Sequence, residues 1–259
     1  MASKIQHFAE KLAEAEVSRA GIEPLTITEP DMTVNEAYHI QLENINKKLK
    51  AGRKITGKKI GLTSVAVQKM LNVSEPDYGH LLDSMTVENG GTISCETMLQ
   101  PKVEGEIAFI LKKELKGPNV TVLDVLQATD YVVPALEIVD SRIQDWKIKL
   151  PDTVADNASS GRYVLGGKPA KLEEINLELI GMVLYQNGEV ANTGVGAAAL
   201  GNPAACVAWL ANRLAEYDIS LKAGEVILSG ALSGMVAAKP GDNFTARFAH
   251  LGQVSINFK

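Results

Sequence analysis

A chain of 259 residues, 46% hydrophobic and 22% charged, is long enough to bury a core without disulfides, and its composition excludes disordered and fibrous classes. The net charge of −5 argues against a nucleic-acid partner, whose phosphates require a basic surface; acidic clusters should instead attract cations. Cys95 and Cys206 are too few and too far apart for a disulfide framework, the charges at Lys4, Glu10, Lys11, Glu14 and Glu16 exclude a signal peptide, and no run of about 18 apolar residues occurs. The expectation is a cytoplasmic protein that does not cross a membrane.

From residue 4 to 19, Ile5, Phe8, Ala9, Leu12, Ala13 and Ala15 recur near helical spacing, which predicts an amphipathic helix. Thr33 is a candidate N-cap with Glu36 three residues on, and Ala37, Ile40, Leu42, Ile45 and Leu49 supply the apolar face of a second helix ending near Gly52. Beyond Gly52 the apolar runs shorten and are punctuated by Gly, Pro, Asn and Asp; strands are predicted at 107–111, 132–139, 179–185 and 225–228. Asn187-Gly188 between two of the extended segments predicts a type I′ hairpin turn. At 203–217, Ala204, Val207, Ala208, Leu210, Ala211 and Leu214 form a helical stripe that begins just after Pro203. The expected fold class is α+β: a helical N-terminal segment, 1–55, followed by a mixed, mostly β domain, 56–259, with no internal repeat.

The chemistry-bearing residues begin with carboxylates. Glu104 and Glu106, two apart in the apolar run 103–110, project from one face of a strand, and two such carboxylates repel unless a cation or proton lies between them. Glu137 interrupts the otherwise apolar stretch 132–139, and a buried carboxylate needs a partner. Three carboxylates with room for water and substrate suit Mg²⁺ or Mn²⁺ better than zinc. The competing reading makes Glu104 and Glu106 a solvated strand face and pairs Glu137 with Arg142 or a lysine, and spacing alone leaves both open.

Other signals are weaker taken singly. Lys58 and Lys59 sit among glycines, and Lys59 among apolar neighbours would have its pKa lowered toward a catalytic range. Pro76-Asp77-Tyr78-Gly79 reads as a turn. Gly194-Val195-Gly196-Ala197-Ala198-Ala199 nominally matches a dinucleotide fingerprint but follows a hairpin, so it reads better as a loop closing over a site. The four histidines are scattered, and no nucleophile elbow, P-loop or His-Glu-x-x-His is present.

Taken in order, Gly57-Lys58-Lys59-Ile60-Gly61-Leu62-Thr63-Ser64, Pro76-Asp77-Tyr78-Gly79, Glu104-Gly105-Glu106, Pro134-Ala135-Leu136-Glu137, Asp140-Ser141-Arg142 and Asp152-Thr153-Val154-Ala155-Asp156-Asn157-Ala158-Ser159 resemble the 2-keto-4-pentenoate (2-hydroxypenta-2,4-dienoate) hydratases of aromatic meta-cleavage pathways, within the fumarylacetoacetate hydrolase superfamily. The likeness covers nearly the whole chain. It implies a fumarylacetoacetase C-terminal-like core, Mg²⁺ or Mn²⁺ held by Glu104, Glu106 and Glu137, and catalytic roles for Lys59, Asp77 and Ser159. Leu62, Thr63, Ser229 and Leu232 are the expected substrate-binding residues.

The implied reaction adds water to 2-hydroxypenta-2,4-dienoate to give 4-hydroxy-2-oxopentanoate. The sister enzyme, 4-oxalocrotonate decarboxylase, shares the metal motif, and an acylpyruvate-type C–C hydrolase is a further alternative. Segments 142–149, 207–212 and 224–232 look more like the hydratase branch, although Ser233-Gly234-Met235 departs from the Gly-Pro-Met common there. Hydratases of the longer 2-oxohept-3-enedioate usually carry a longer segment between the Asp-Ser-Arg and Asp-Thr-Val regions, so the five-carbon monoacid is favoured. The resemblance also implies a homo-oligomer able to associate with the sister decarboxylase or hydratase.

Overall fold

The computed structural model describes residues 2–71 and 73–259. Three helices open the chain: α1 (Ala2–Ser18), the short α2 (Leu25–Thr28) and α3 (Val34–Lys50). The predicted cap of α3 is present as a full capping box: Thr33 Oγ1 accepts from the Glu36 amide, and Glu36 Oε2 accepts from the Thr33 amide. Then follow β1 (Ile55–Gly61), α4 (Val65–Leu71), β2 (Asp77–Leu82), β3 (Thr86–Val87), β4 (Thr92–Ile93), β5 (Lys102–Leu111), α5 (Val122–Ala128) and β6 (Thr129–Val139). The remainder is α6 (Leu150–Ala155), β7 (Ser160–Leu165), β8 (Gly181–Gln186), β9 (Glu189–Val195), α7 (Pro203–Ala215), β10 (Val226–Ala231), β11 (Val236–Ala237), β12 (Asn243–Phe248) and β13 (Gly252–Phe258).

The strands form two sheets. The larger has the order β2-β1-β10-β5-β6-β7-β3, with β11 also pairing to β5; the smaller is β4-β13-β12-β8-β9. Within the smaller sheet, the β8–β9 hairpin turns on Asn187 and Gly188, both at positive φ, as a type I′ turn requires. Helix α7 starts where Asn202 accepts the Ala204 amide and Pro203 fills the first turn.

Strand alternation decides where the site lies. Along β5, Val103, Ile107 and Phe109 join the main hydrophobic core, and a Cβ on Gly105 would lie 3.1 Å from Met182 of the smaller sheet, so this face packs sheet against sheet. Glu104, Glu106 and Ala108 point the other way; Ala108 joins a second core with Ile45 of α3.

The expected division near residue 55 marks where helices give way to strands, but the core runs across it: Phe8, Leu12, Tyr38 and Ile40 belong to the same cluster as Ile107 and Val207. Gln41 of α3 reaches furthest. Its amide nitrogen donates to the Tyr78 carbonyl of β2 and the Val154 carbonyl of α6, and its oxygen meets His80 Nδ1 at 3.0 Å.

Candidate active site

Strands β5 and β6 run antiparallel with Glu104 directly opposite Glu137, and Glu106 opposite Ala135. Opposed residues on one face have Cβ atoms about 5 Å apart, so two residues of one strand and one of the next bring three carboxyl groups together. One oxygen from each lies within 4.8 Å of the others. Among the described residues this is the one such group of three or more potential metal ligands. Glu106 and Glu137 are buried and Glu104 is half-buried. The Gly230 amide donates to Glu106 Oε2 at 2.9 Å, while Glu106 Oε1 and both oxygens of Glu137 accept no hydrogen bond.

Buried acceptors left without donors are costly. Burial and the neighbouring charge of Glu137 push Glu104 up to about pKa 7, and burial, Glu137 and Glu104 push Glu106 well above the carboxylate range. An oxygen-only set of three carboxylates with unpartnered oxygens fits a hard divalent cation, whose charge would reverse both shifts.

Two further strands bring the other groups. Lys59 of β1 places its Nζ 3.4 Å from Glu137 Oε1 and donates to the Ala158 carbonyl at 2.9 Å. Burial alone would lower its pKa, as the sequence suggests, but the charges of Glu137, Asp77, Glu104 and Glu106 outweigh it and raise the pKa above the usual lysine value. The expected downward shift is therefore corrected: β1 sets Lys59 among carboxylates. Asp77, opposite Gly61 in the β1–β2 register, accepts from Thr153 Oγ1 at 2.6 Å through Oδ2, and its Oδ1 has no partner. Position 61 must be glycine for this meeting, since a Cβ there would lie 2.4 Å from Asp77 Oδ1 and 3.0 Å from Lys59 Nζ.

Ser159 ends a run of three non-glycine residues in the left-handed region: Asn157 (φ 54°), Ala158 (49°) and Ser159 (54°). Each costs on the order of 1 kcal/mol, so the surroundings must over-determine the conformation. They do so by clamps on either side. The Asn157 side chain accepts from the His80 amide and donates to the His80 carbonyl, and Arg142 binds Asp156 through its side chain and backbone amide. Arg142 is thus the partner of Asp156 rather than of Glu137. The run presents the Ala158 carbonyl to Lys59, and Ser159 Oγ lies 3.4 Å from Asp156 Oδ2.

A cavity of about 410 Å³ opens against this cluster, lined by Lys59, Asp77, Glu104 and Ser159 together with the expected Leu62, Thr63 and Leu232. Ser229 is elsewhere: it is fully buried, is not among the lining residues, and its hydroxyl donates to the Ile107 carbonyl. Ala198, in the loop after β9, lines the cavity, in keeping with a segment that closes over a site. Sequence reasoning assigned no role to Thr153, Trp146, Ile148 or Met235, which complete much of the wall. Thr153 lies in a motif that carries the resemblance, and Trp146 and Ile148 lie in segment 142–149, which points to the hydratase branch: a signal of position but not of task.

Residues 56–258 match the family described as fumarylacetoacetate (FAA) hydrolase, C-terminal. The chain is 51% identical over 254 residues to a 2-keto-4-pentenoate hydratase of Paraburkholderia xenovorans (strain LB400), covering 98% of this chain and 94% of that one. It is 49% identical over 256 residues to a 2-hydroxyhexa-2,4-dienoate hydratase of Comamonas testosteroni, covering 98% and 97%. The structure of 4-oxalocrotonate decarboxylase from Pseudomonas putida G7, complexed with magnesium and adipate, matches with a TM-score of 0.97 at 41% identity, covering 100% of this chain and 98% of that one. No helix among the described residues is long and apolar enough to cross a membrane.

Proposed function

The chain belongs to the fumarylacetoacetate hydrolase family, and from that premise we propose that it is a divalent-metal-dependent hydratase converting 2-hydroxypenta-2,4-dienoate to 4-hydroxy-2-oxopentanoate. The observation that carries the reading is the trio Glu104, Glu106 and Glu137, whose unpartnered oxygens meet beside a cavity also lined by Lys59 and Asp77. These glutamates would hold Mg²⁺ or Mn²⁺, which supplies Lewis-acid polarisation of the 2-oxygen of a chelating 2-keto acid.

The reaction delivers a proton to C5 and adds water at C4. Proton transfer is assigned to Asp77 Oδ1, which is buried and free of hydrogen bonds while Thr153 holds the other oxygen. The Lys59 ammonium balances the acidic cluster and orients an anionic substrate, and Ser159 Oγ orients water or substrate. Leu62, Thr63 and Leu232 bound the substrate's carbon chain. The enzyme is further proposed to be a cytoplasmic homo-oligomer able to associate with the sister decarboxylase; its two free cysteines suit a reducing compartment.

The decarboxylase reading is favoured by one observation, the match in fold to 4-oxalocrotonate decarboxylase. An ultraviolet assay with freshly made 2-hydroxypenta-2,4-dienoate and Mg²⁺ or Mn²⁺, run beside 4-oxalocrotonate with detection of CO₂, separates the two. Loss of the dienoate without CO₂ release is expected; CO₂ from 4-oxalocrotonate and an untouched dienoate would reverse the assignment.

A further inference from the structure

Strand β5 carries a cation on the same face as its two glutamates. Lys102 lies two residues before Glu104, about 7 Å along the strand on the side away from Glu106. Its ammonium sits 4.3 Å from the centroid of the Trp146 ring. Trp146 lines the cavity, and Lys102, whose ammonium lies over the indole ring, is absent from the lining. Val139, opposite Lys102 in the β5–β6 register, lines the cavity at the same level.

The ring is held in place from several directions. Its Nε1 donates to the Gln100 carbonyl at 3.2 Å, and the Gln100 side chain in turn donates to the Ser141 and Ile143 carbonyls of the segment leading to it. Asp145 and Trp146 both adopt φ of 56°, a left-handed conformation that non-glycine residues keep only where the surroundings impose it. A strained backbone, a satisfied indole nitrogen and a cation on one face fix one orientation.

We infer that Trp146 is a specificity-determining residue: it masks Lys102 and so makes the outer end of the cavity a subsite for an uncharged substrate tail, against an ω-carboxylate. This rests on the reading of the substrate as a 2-keto or 2-enol acid bound at the divalent cation that the glutamates would hold. Among the described residues lining the cavity Lys59 is the one cation, and it faces Glu137. A second carboxylate entering between Trp146, Ile148 and Val139 would lose its hydration and meet no counter-charge. With the indole removed, the Lys102 ammonium becomes that counter-charge.

The test compares inhibition constants of two unreactive probes, 2-oxopentanoate and 2-oxohexanedioate, in the metal-loaded enzyme turning over 2-hydroxypenta-2,4-dienoate. The wild type should bind the monoacid more tightly. In Trp146→Ala the ratio should move toward the diacid by about fivefold or more, the scale of one partly screened charge pair, and Trp146→Ala/Lys102→Met should cancel that shift. Trp146→Leu, which keeps apolar bulk but gives up the π face, is the second variant and should move the ratio in the same direction. An unmoved ratio in both single variants, or a shift that survives loss of Lys102, overturns the inference. A wild type inert toward the dienoate would instead overturn the hydratase reading, and the two failures are separately visible.

Discussion

Lys58 and Lys59 are neighbours on β1, both all but excluded from solvent, and they point to opposite faces of the sheet into opposite circumstances. Lys58 Nζ donates to both oxygens of Glu225 at 2.7 Å, and Glu225 also takes the Lys222 amide: one charge, one counter-charge, every contact short. Lys59 makes one hydrogen bond, to a carbonyl, and stands 3.4 Å from a carboxylate whose oxygens accept none. Their pKa values move in opposite directions: burial pulls Lys58 down despite Glu225, whereas the surplus of carboxylates raises Lys59 against its burial. A balanced pair is architecture. An unbalanced excess of buried negative charge is a site prepared for something positive from outside.

The strongest way to break that distinction is Glu106→Gln. It removes a ligand, and kcat/KM should fall about a thousandfold or more, with Mn²⁺ affinity reduced in calorimetric titration. In metal-free protein the same change relieves like-charge repulsion, so the melting temperature should hold or rise. Full activity after chelator treatment and metal titration would remove Glu106 from the ligand set.

Glu225→Gln should do the reverse. It strands the Lys58 charge, so urea denaturation should show a loss of about 3 kcal/mol, while kcat/KM of the folded fraction stays within about threefold. A stability-neutral Glu225→Gln would mean that the Lys58 pair is no more structural than the site.

The third prediction concerns pH. Glu104 has its pKa raised to about 7 in metal-free protein, so protons occupy the cluster below that pH and a cation must displace them. Affinity for Mn²⁺ should therefore rise with pH through about 7, by about tenfold per unit where one proton is released. Titrations in two buffers of different ionisation enthalpy read that proton directly; binding without release would contradict the assigned shift.

The smallest effect is expected from Thr153→Val. Asp77 Oδ2 loses its donor, and kcat should drop about fivefold to tenfold with metal affinity unchanged. An equal drop in metal affinity would show Thr153 acting on the glutamates instead.

How much of this was legible in the sequence varies by residue. Glu104 and Glu106 could be placed on one face because alternation is a local rule, and Glu137 stood out as a charge in an apolar run. The direction of the Lys59 shift could not be read, because the charges around it come from β2, β5 and β6, which only the fold brings near Lys59. Ser229 was expected to bind substrate and instead donates to a strand carbonyl, because the β10–β5 register shifts between Leu228 and Ala231. That same irregularity turns the Gly230 amide toward Glu106, a contribution invisible to side-chain reading. The left-handed runs at 145–146 and 157–159 contain no glycine; Asp145 and Asn157, which enter this region more readily than most residues, open them, but nothing in Trp146, Ala158 or Ser159 announces their continuation.

The Gln41 amide carries a consequence for where the catalyst begins. Its two acceptors, the Tyr78 and Val154 carbonyls, are each one residue from a member of the Asp77–Thr153 pair. One side chain of the N-terminal helices thereby gauges the spacing of the two elements on which the proposed proton carrier depends. The stretch that matches the family starts at residue 56, fifteen positions later. The edge of the family core and the edge of the working machine do not coincide, and grafting that core onto a different N-terminal helix would leave Asp77 without its ruler.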